Sequence, residues 1–204
     1  MSSEKVEILP ESFYANPDVV NVAKQLLGKV LCTNFDGNLT SGIITETEAY
    51  CGRNDKACHA NNGLRTERTE VMYGPPGNAY IYLCYGIHHL FNVVTNREGF
   101  ADAVLIRGVQ PLDGIGIMRK RRNIDRLQNL TNGPGKLSQA LNIHTSYTGH
   151  NLKTPPLWIE DRNITITDEK IKITPRIGVD YAGEDAKKPW RFLITHHESD
   201  FHSE

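Results

Sequence analysis

Residues 29–50 constrain the fold more than any other stretch of this chain. Residues 29–35 have strand character, Asp36-Gly37 is a strong hairpin-turn pair, and residues 39–50 run back as a second strand. The returning strand carries ITETEAY at 44–50, with Glu46, Glu48 and Tyr50 at i, i+2 and i+4. In an extended strand these three side chains share one face. Two carboxylates and a phenol on one face make a poor core. They suit the floor of a polar pocket in which a carboxylate activates water. They also suit a solvated strand face with a charged edge. A paired strand is a rigid mount for either use.

The flanking segments place this hairpin in a mixed fold. Asn16-Pro17 is expected to open a helix, with Asn as N-cap, Val19, Val20, Val22, Ala23, Leu26 and Leu27 on its apolar face, and Gly28 as the stop. Residues 51–76 lose all periodicity and are too long for a mere connector, which marks a functional loop. NAYIYLCY at 78–85 is strongly β-prone, Tyr85-Gly86 is a turn, and residues 88–95 return as a strand. Tyr80 and Tyr82 share a face, while Tyr85 and Ile87 flank the turn glycine. An apolar pair on an exposed turn is odd for a plain globule, unless another loop covers the hairpin tip. Residues 103–109 form a further strand carrying Arg107, and residues 112–122 a helix ending in RKRR. Strands are expected at 157–160, 164–167, 171–177 and 190–195. Nothing in the pattern suggests a linker, a repeat or low complexity, so one domain over 1–204 is expected, with loose ends at 1–12 and 197–204.

Composition narrows the function classes. The chain has 204 residues, 39% hydrophobic and 23% charged, with net charge −1. That is an ordinary globular balance with no global basic excess, so nucleic-acid binding needs a local basic surface. Residues 97–126 supply one candidate, with seven Arg or Lys against four Asp or Glu. Lys187, Lys188 and Arg191 form a second. NGPGK at 132–136 feeds a helix N-terminus, where free N–H groups suit a single phosphate; the spacing is not that of a nucleotide-triphosphate loop. Cys32, Cys51, Cys58 and Cys84 contain no CxxC pair, and with no secretory leader the expectation is free thiols in a reducing cytoplasm. His196, His197 and His202 near the end offer no preorganised geometry, so neither metal nor cofactor is expected. No apolar run approaches a membrane span.

Glu48, Tyr50, Tyr82, Arg107 and Asn92 lie on separate strands, with His59 in the loop. Aromatic rings interleaved with hydrogen-bonding groups make a slot for a flat polar ring. A carboxylate at its base suggests activation of water, and an exposed aromatic wedge suggests a duplex opened at one step. Together these describe a base-flipping hydrolase. A non-catalytic binder of damaged duplex would use the same groove and wedge.

Several blocks then point one way: ETEAY (46–50), Gly52, Ala57 and His59, GNAYIYLCYGIHHLFNVV (77–94), AVLIRGVQPLDG (103–114), GPGKLSQAL (133–141) and PRIGVDYAGEDAKKPWRF (175–192). In order, from about residue 10 to 195, the chain resembles the alkyladenine (3-methyladenine) DNA glycosylase family. The resemblance implies an α+β fold, a single mixed domain with a curved antiparallel β-sheet flanked by helices. It implies a monofunctional glycosylase that flips an alkylated, deaminated or etheno-modified purine from double-stranded DNA and hydrolyses its N-glycosidic bond. By the same resemblance Glu48 deprotonates the water, which Arg107 and the carbonyl of Ile177 help to hold. Tyr50, His59 and Tyr82 line the base pocket and Asn92 guards it against guanine. Tyr85 fills the gap in the duplex with Ile87 beside it, and Lys136 meets a backbone phosphate. A glutamate at the catalytic position implies no lyase chemistry, which needs an amine. The expected state is a cytoplasmic monomer. Ile87 and the loop at 61–76 are where the chain looks individual.

Overall fold

The hairpin at 29–50 is present, and the sheet is built on it. The computed structural model describes residues 6–195. Its elements follow in the order β1 (Glu7–Ile8), α1 (Glu11–Tyr14), α2 (Val19–Gln25), β2 (Val30–Phe35), β3 (Asn38–Tyr50), β4 (Ala79–Cys84), β5 (His88–Thr95), β6 (Asp102–Pro111), α3 (Ile115–Arg122), α4 (Pro134–Leu141), β7 (Lys153–Thr154), β8 (Leu157–Asp161), β9 (Ile171–Thr174) and β10 (Arg191–Ile194). Asp36 and Gly37 both take left-handed angles, φ 53° and 76°, as a two-residue turn between right-twisted strands requires.

The strands form one antiparallel sheet in the order β1-β8-β2-β3-β6-β5-β4, with β7 added to β8 and β9 reaching β3 through β10. Helices flank this curled sheet, giving the α+β fold that the resemblance implied. β3 is 13 residues long. Its first half pairs with β2, and Glu46, Thr47 and Glu48 in its second half pair with β10. β6 runs along its other edge. That ladder slips twice, leaving Thr45 on β3 and Arg107 on β6 without an opposite residue. Bulges of this kind bend a strand and re-aim side chains.

Strand alternation separates two faces. Ala49, Ala79, Ile81, Phe91, Val93, Val104 and Ile106 enter the main core, where they meet Val22, Met118, Leu137 and Leu141 from the helices. The intervening Tyr50, Tyr80, Tyr82 and Ala103 point the other way and pack with Cys58 and Met72 from the loop after β3. One face therefore supplies most of the apolar burial, worth about 1.5–3 kcal/mol per large side chain. The other face is left for a site.

Some sequence expectations need correction. The N-cap of α2 is Asp18, not Asn16: the Asp18 carboxylate accepts from Val20 and Asn21 N–H, while Asn16 accepts from Asp18 N–H. The helix then ends before Leu26 and Leu27. Residues 164–167 pair with no strand; the Ile166 side chain and the Ile164 carbonyl lie against the bare Cα of Gly28, and the Ile164 side chain packs on Val30, Cys32 and Ile43. The helix expected from 112 starts at Ile115, after a left-handed Gly114. Of the ends expected to be loose, Glu7–Ile8 pairs with β8; residues 1–5 and 196–204, with His196, His197 and His202, lie outside the described residues.

Gly37 and Gly114 give a test of this geometry. Both have positive φ, but a Cβ on Gly37 meets nothing within 4 Å, whereas one on Gly114 lies 2.2 Å from the Leu39 carbonyl oxygen. Gly37→Ala should cost only the left-handed penalty of about 1–2 kcal/mol. Gly114→Ala should cost that plus overpacking of roughly 1–3 kcal/mol. Urea midpoints of the two variants should therefore fall in that order.

Candidate active site

The second face of the sheet holds a cavity of ≈ 400 Å³, within the range of small-molecule sites. Tyr50, His59, Tyr82, Asn92, Arg107 and Ile177 line it, and Tyr85 stands at its edge. A larger depression of ≈ 610 Å³ beside α2 gathers none of the expected site residues. The His59 and Tyr82 rings meet edge to face at 4.7 Å, and Tyr80 lies 5.5 Å from Tyr82. The His59 Nδ1 is 2.8 Å from the Tyr80 hydroxyl. Burial, and after it the Arg68 guanidinium, pushes the His59 imidazole down to about 4, so it is neutral at ordinary pH.

Glu48 sits directly behind this lining and is 0% exposed. Its Oε2 accepts from the Tyr50 hydroxyl at 2.7 Å, and its Oε1 from the Ile177 N–H at 2.8 Å. Arg107 Nε lies 3.4 Å from Oε1. A carboxylate offers about four lone-pair sites, so these two hydrogen bonds leave acceptor capacity unused. Burial, then the Glu48 charge and hydrogen bond, hold the Tyr50 phenol far above its usual range, which keeps it a donor. Burial opposes the charge on Arg107, but Glu48 and Glu46 outweigh it and keep the guanidinium protonated. Glu46 itself accepts from Arg107 Nε at 2.8 Å and Arg191 Nε at 2.6 Å. On this face two carboxylates and two guanidinium groups balance.

A second buried pair fixes the wall. Arg176 is bidentate to Asp55 and donates to the Ala49 and Asp185 carbonyls. Its guanidinium lies between the Tyr50 and Trp190 rings, 4.8 and 5.1 Å from their centres. Asp55 in turn accepts from Cys51 and Ala57 N–H. Arg176 thus ties β3, the loop after it and the segment before β10 together, next to the Ile177 amide that touches Glu48.

Other expected residues fall as follows. Ile177 meets Glu48 through its N–H, beside the carbonyl expected to hold the water. Asn92 is buried and its amide donates to the Tyr80 and Leu90 carbonyls. Tyr85 is 92% exposed at φ 50°, followed by Gly86 at φ 72°. These are turn positions that favour Asn-Gly, and a tyrosine there is strained. Ile87, 70% exposed, lies beside it, outside the cavity. Lys136 also lies outside, exposed in the first turn of α4 with Nζ 2.9 Å from Asn132 Oδ1. Gly135 next to it packs against His88, so this helix end adjoins the Tyr85 hairpin.

The basic clusters are less free than their sequence suggests. Arg121 donates to Thr40 Oγ1 and the Ala140 carbonyl, and Arg122 to the Leu130 carbonyl and Gln139. Lys187, Lys188 and Arg191 pair with Glu184, Asp185 and Glu46. Cys51 and Cys58 are free thiols, and burial pushes Cys58 up to about 12. Among the described residues no three His, Cys, Asp or Glu side chains gather as metal ligands. Sequence reasoning missed Arg68, Tyr181, Asp55 and Arg176 as parts of the site. Only Arg176 and Tyr181 had a signal, inside the block 175–192.

Comparison with known proteins bears on this geometry. The model of the methylpurine-DNA glycosylase family matches residues 12–198. A Chlamydia abortus protein named "Putative 3-methyladenine DNA glycosylase" is 51% identical over 189 residues, covering 92% of this chain and 98% of its own. Proteins of the same name from Chlamydia felis and Bacillus thuringiensis are 50% and 47% identical, each over 92% of this chain and 96% of their own.

The low pKa of His59 has a consequence for stability. In the unfolded chain the imidazole takes up a proton near pH 6.5, whereas in the fold it stays neutral to about pH 4. The unfolded chain therefore binds more protons in that window, and stability falls as pH falls from about 6.5 to about 4. Urea midpoints measured across this window should drop less steeply in His59→Gln than in the wild type.

Proposed function

Because this chain belongs to the methylpurine-DNA glycosylase family, we propose that it hydrolyses the N-glycosidic bond of alkylated purines in double-stranded DNA, 3-methyladenine among them. The observation that carries this reading is the Tyr50 to Glu48 hydrogen bond. It joins an aromatic slot to a buried carboxylate through a single side chain.

In this reading the damaged nucleotide leaves the stack and its base enters between Tyr50, His59 and Tyr82. The strained, exposed Tyr85 takes its place in the duplex, and Lys136 meets a backbone phosphate. Water adds to C1′ of the sugar as the bond from C1′ to the base breaks. The water proton passes to Glu48, and the bonding electron pair leaves with the base. An alkylated purine carries a positive charge, so this electron pair neutralises it. The sugar becomes oxocarbenium-like in the transition state, and the anion of Glu48 stabilises it. Arg107 and the Ile177 backbone hold the water and the carboxylate. Asn92 excludes bases with an unwanted exocyclic group. Deaminated and etheno-modified purines are flat enough for the same slot. The group that serves C1′ is a carboxylate rather than an amine, so the product is an abasic site with no strand cleavage. The chain acts as a monomer in the compartment that holds the DNA. No described helix is long and apolar enough to cross a membrane.

One observation favours a rival, a non-catalytic binder of damaged duplex: Glu48 is fully covered in the free protein. Glycosylase action requires the cover of Tyr50, Arg107 and Ile177 to admit one water when the base is seated. Single-turnover release of 3-methyladenine from alkylated DNA separates the two readings. Wild type should release it, and Glu48→Gln should lose at least about 100-fold in rate while keeping its fold and its binding to abasic duplex. Retained release in the variant sinks the mechanism. Tyr85→Asn should relieve turn strain, raising stability by about 1 kcal/mol, and at the same time impair release from duplex.

A further inference from the structure

Arg68 reaches the slot from the loop after β3. Its Cζ lies 4.6 Å over the Tyr82 ring, its Nε 3.3 Å from the Tyr80 hydroxyl and its Nη2 3.0 Å from His59 Nε2. Neighbouring arginines are locked by carboxylates: Arg107 by Glu46, Arg176 by Asp55 and Arg65 by Glu70. Among the described residues Arg68 has no carboxylate partner. It is exposed and held only by a ring face and neutral acceptors.

We propose that Arg68 determines which bases the slot accepts: in the free protein its guanidinium occupies the Tyr82 face, and an incoming purine must displace it. This rests on the reading of the cavity as a base pocket. An aromatic face favours a cation over a neutral ring. With Arg68 seated, that preference is already satisfied from within. A cationic purine then exchanges one cation for another and gains little from the ring. The displaced guanidinium, still nearby, also repels a cationic ring and is indifferent to a neutral one. Arg68 therefore levels the preference of the slot and broadens it toward neutral lesions.

Arg68 covers His59 as well. Its Nη2 lies 3.0 and 3.3 Å from the two ring nitrogens, Nε2 and Nδ1, so the same displacement that frees the Tyr82 face also uncovers the imidazole.

The test uses the full-length protein without DNA and two nucleoside probes, 7-methylguanosine, held below neutral pH so that its ring is cationic, and neutral ethenoadenosine. Nuclear magnetic resonance titration of the Tyr82 and His59 rings reports binding. Arg68→Ala should tighten the cationic probe by roughly 3- to 30-fold and the neutral one by less, and should raise the His59 pKa toward its usual value. Arg68→Lys should fall between wild type and Arg68→Ala. Equal gains for both probes, or weaker binding of both, overturn the specificity role. An unmoved His59 titration overturns the placement of Arg68. If His59 shifts as expected but neither probe touches the slot rings and wild type releases no base from alkylated DNA, the proposal falls through its premise, the base pocket, and not through Arg68.

Discussion

A carboxylate taken wholly out of water governs this structure. Burying an ion costs several kcal/mol unless donors meet it with good geometry. Glu48 has two such donors, a phenol two residues along its own strand and an amide far along the chain at Ile177. The phenol is available because β3 is extended. The amide is available only if the segment before β10 is held against the sheet, and the buried Arg176 and Asp55 pair does that. Glu46, on the same face, would add a like charge, and Arg107 and Arg191 offset it. The ion pairs on this face are thus conditions for keeping one anion buried, rather than a reserve of stability.

The sheet can carry this arrangement because alternation separates its tasks. The core-facing residues of β4, β5 and β6 are small or aliphatic, plus Phe91. Their neighbours in sequence are the tyrosines and the asparagine of the cavity. Local rules are kept on the core face and broken on the other. A tyrosine occupies a left-handed turn position, a carboxylate is buried, and large apolar side chains stand in solvent at the hairpin tip. Departures of this kind concentrate at functional sites.

What was legible in the sequence follows the range of the interaction. The hairpin at Asp36-Gly37, the shared face of Glu46, Glu48 and Tyr50, and the Tyr85 turn are set by neighbours within a few residues, so pattern alone finds them. The α2 cap was misplaced by two residues because Asn16 and Asp18 are both capping types and only their hydrogen bonds decide between them. Residues 164–167 have strand composition but pair with no strand, which a local pattern does not reveal. Asp55 with Arg176 and Arg68 over Tyr82 join positions that are remote or separated by irregular loop. No periodicity marks them. Half of the RKRR run likewise satisfies carbonyls contributed by other elements, which its composition does not reveal.

The partner change along β3 bears on how the molecule comes into being. The strand that carries Glu48 is made early in synthesis, but its second half gains the β10 edge only when residues 191–193 emerge. The Ile177 amide arrives almost as late. A chain short of that point lacks the Ile177 donor and the β10 edge, an open seam beside the carboxylate. Topology alone thus leaves the surroundings of Glu48 incomplete until nearly the whole chain has emerged.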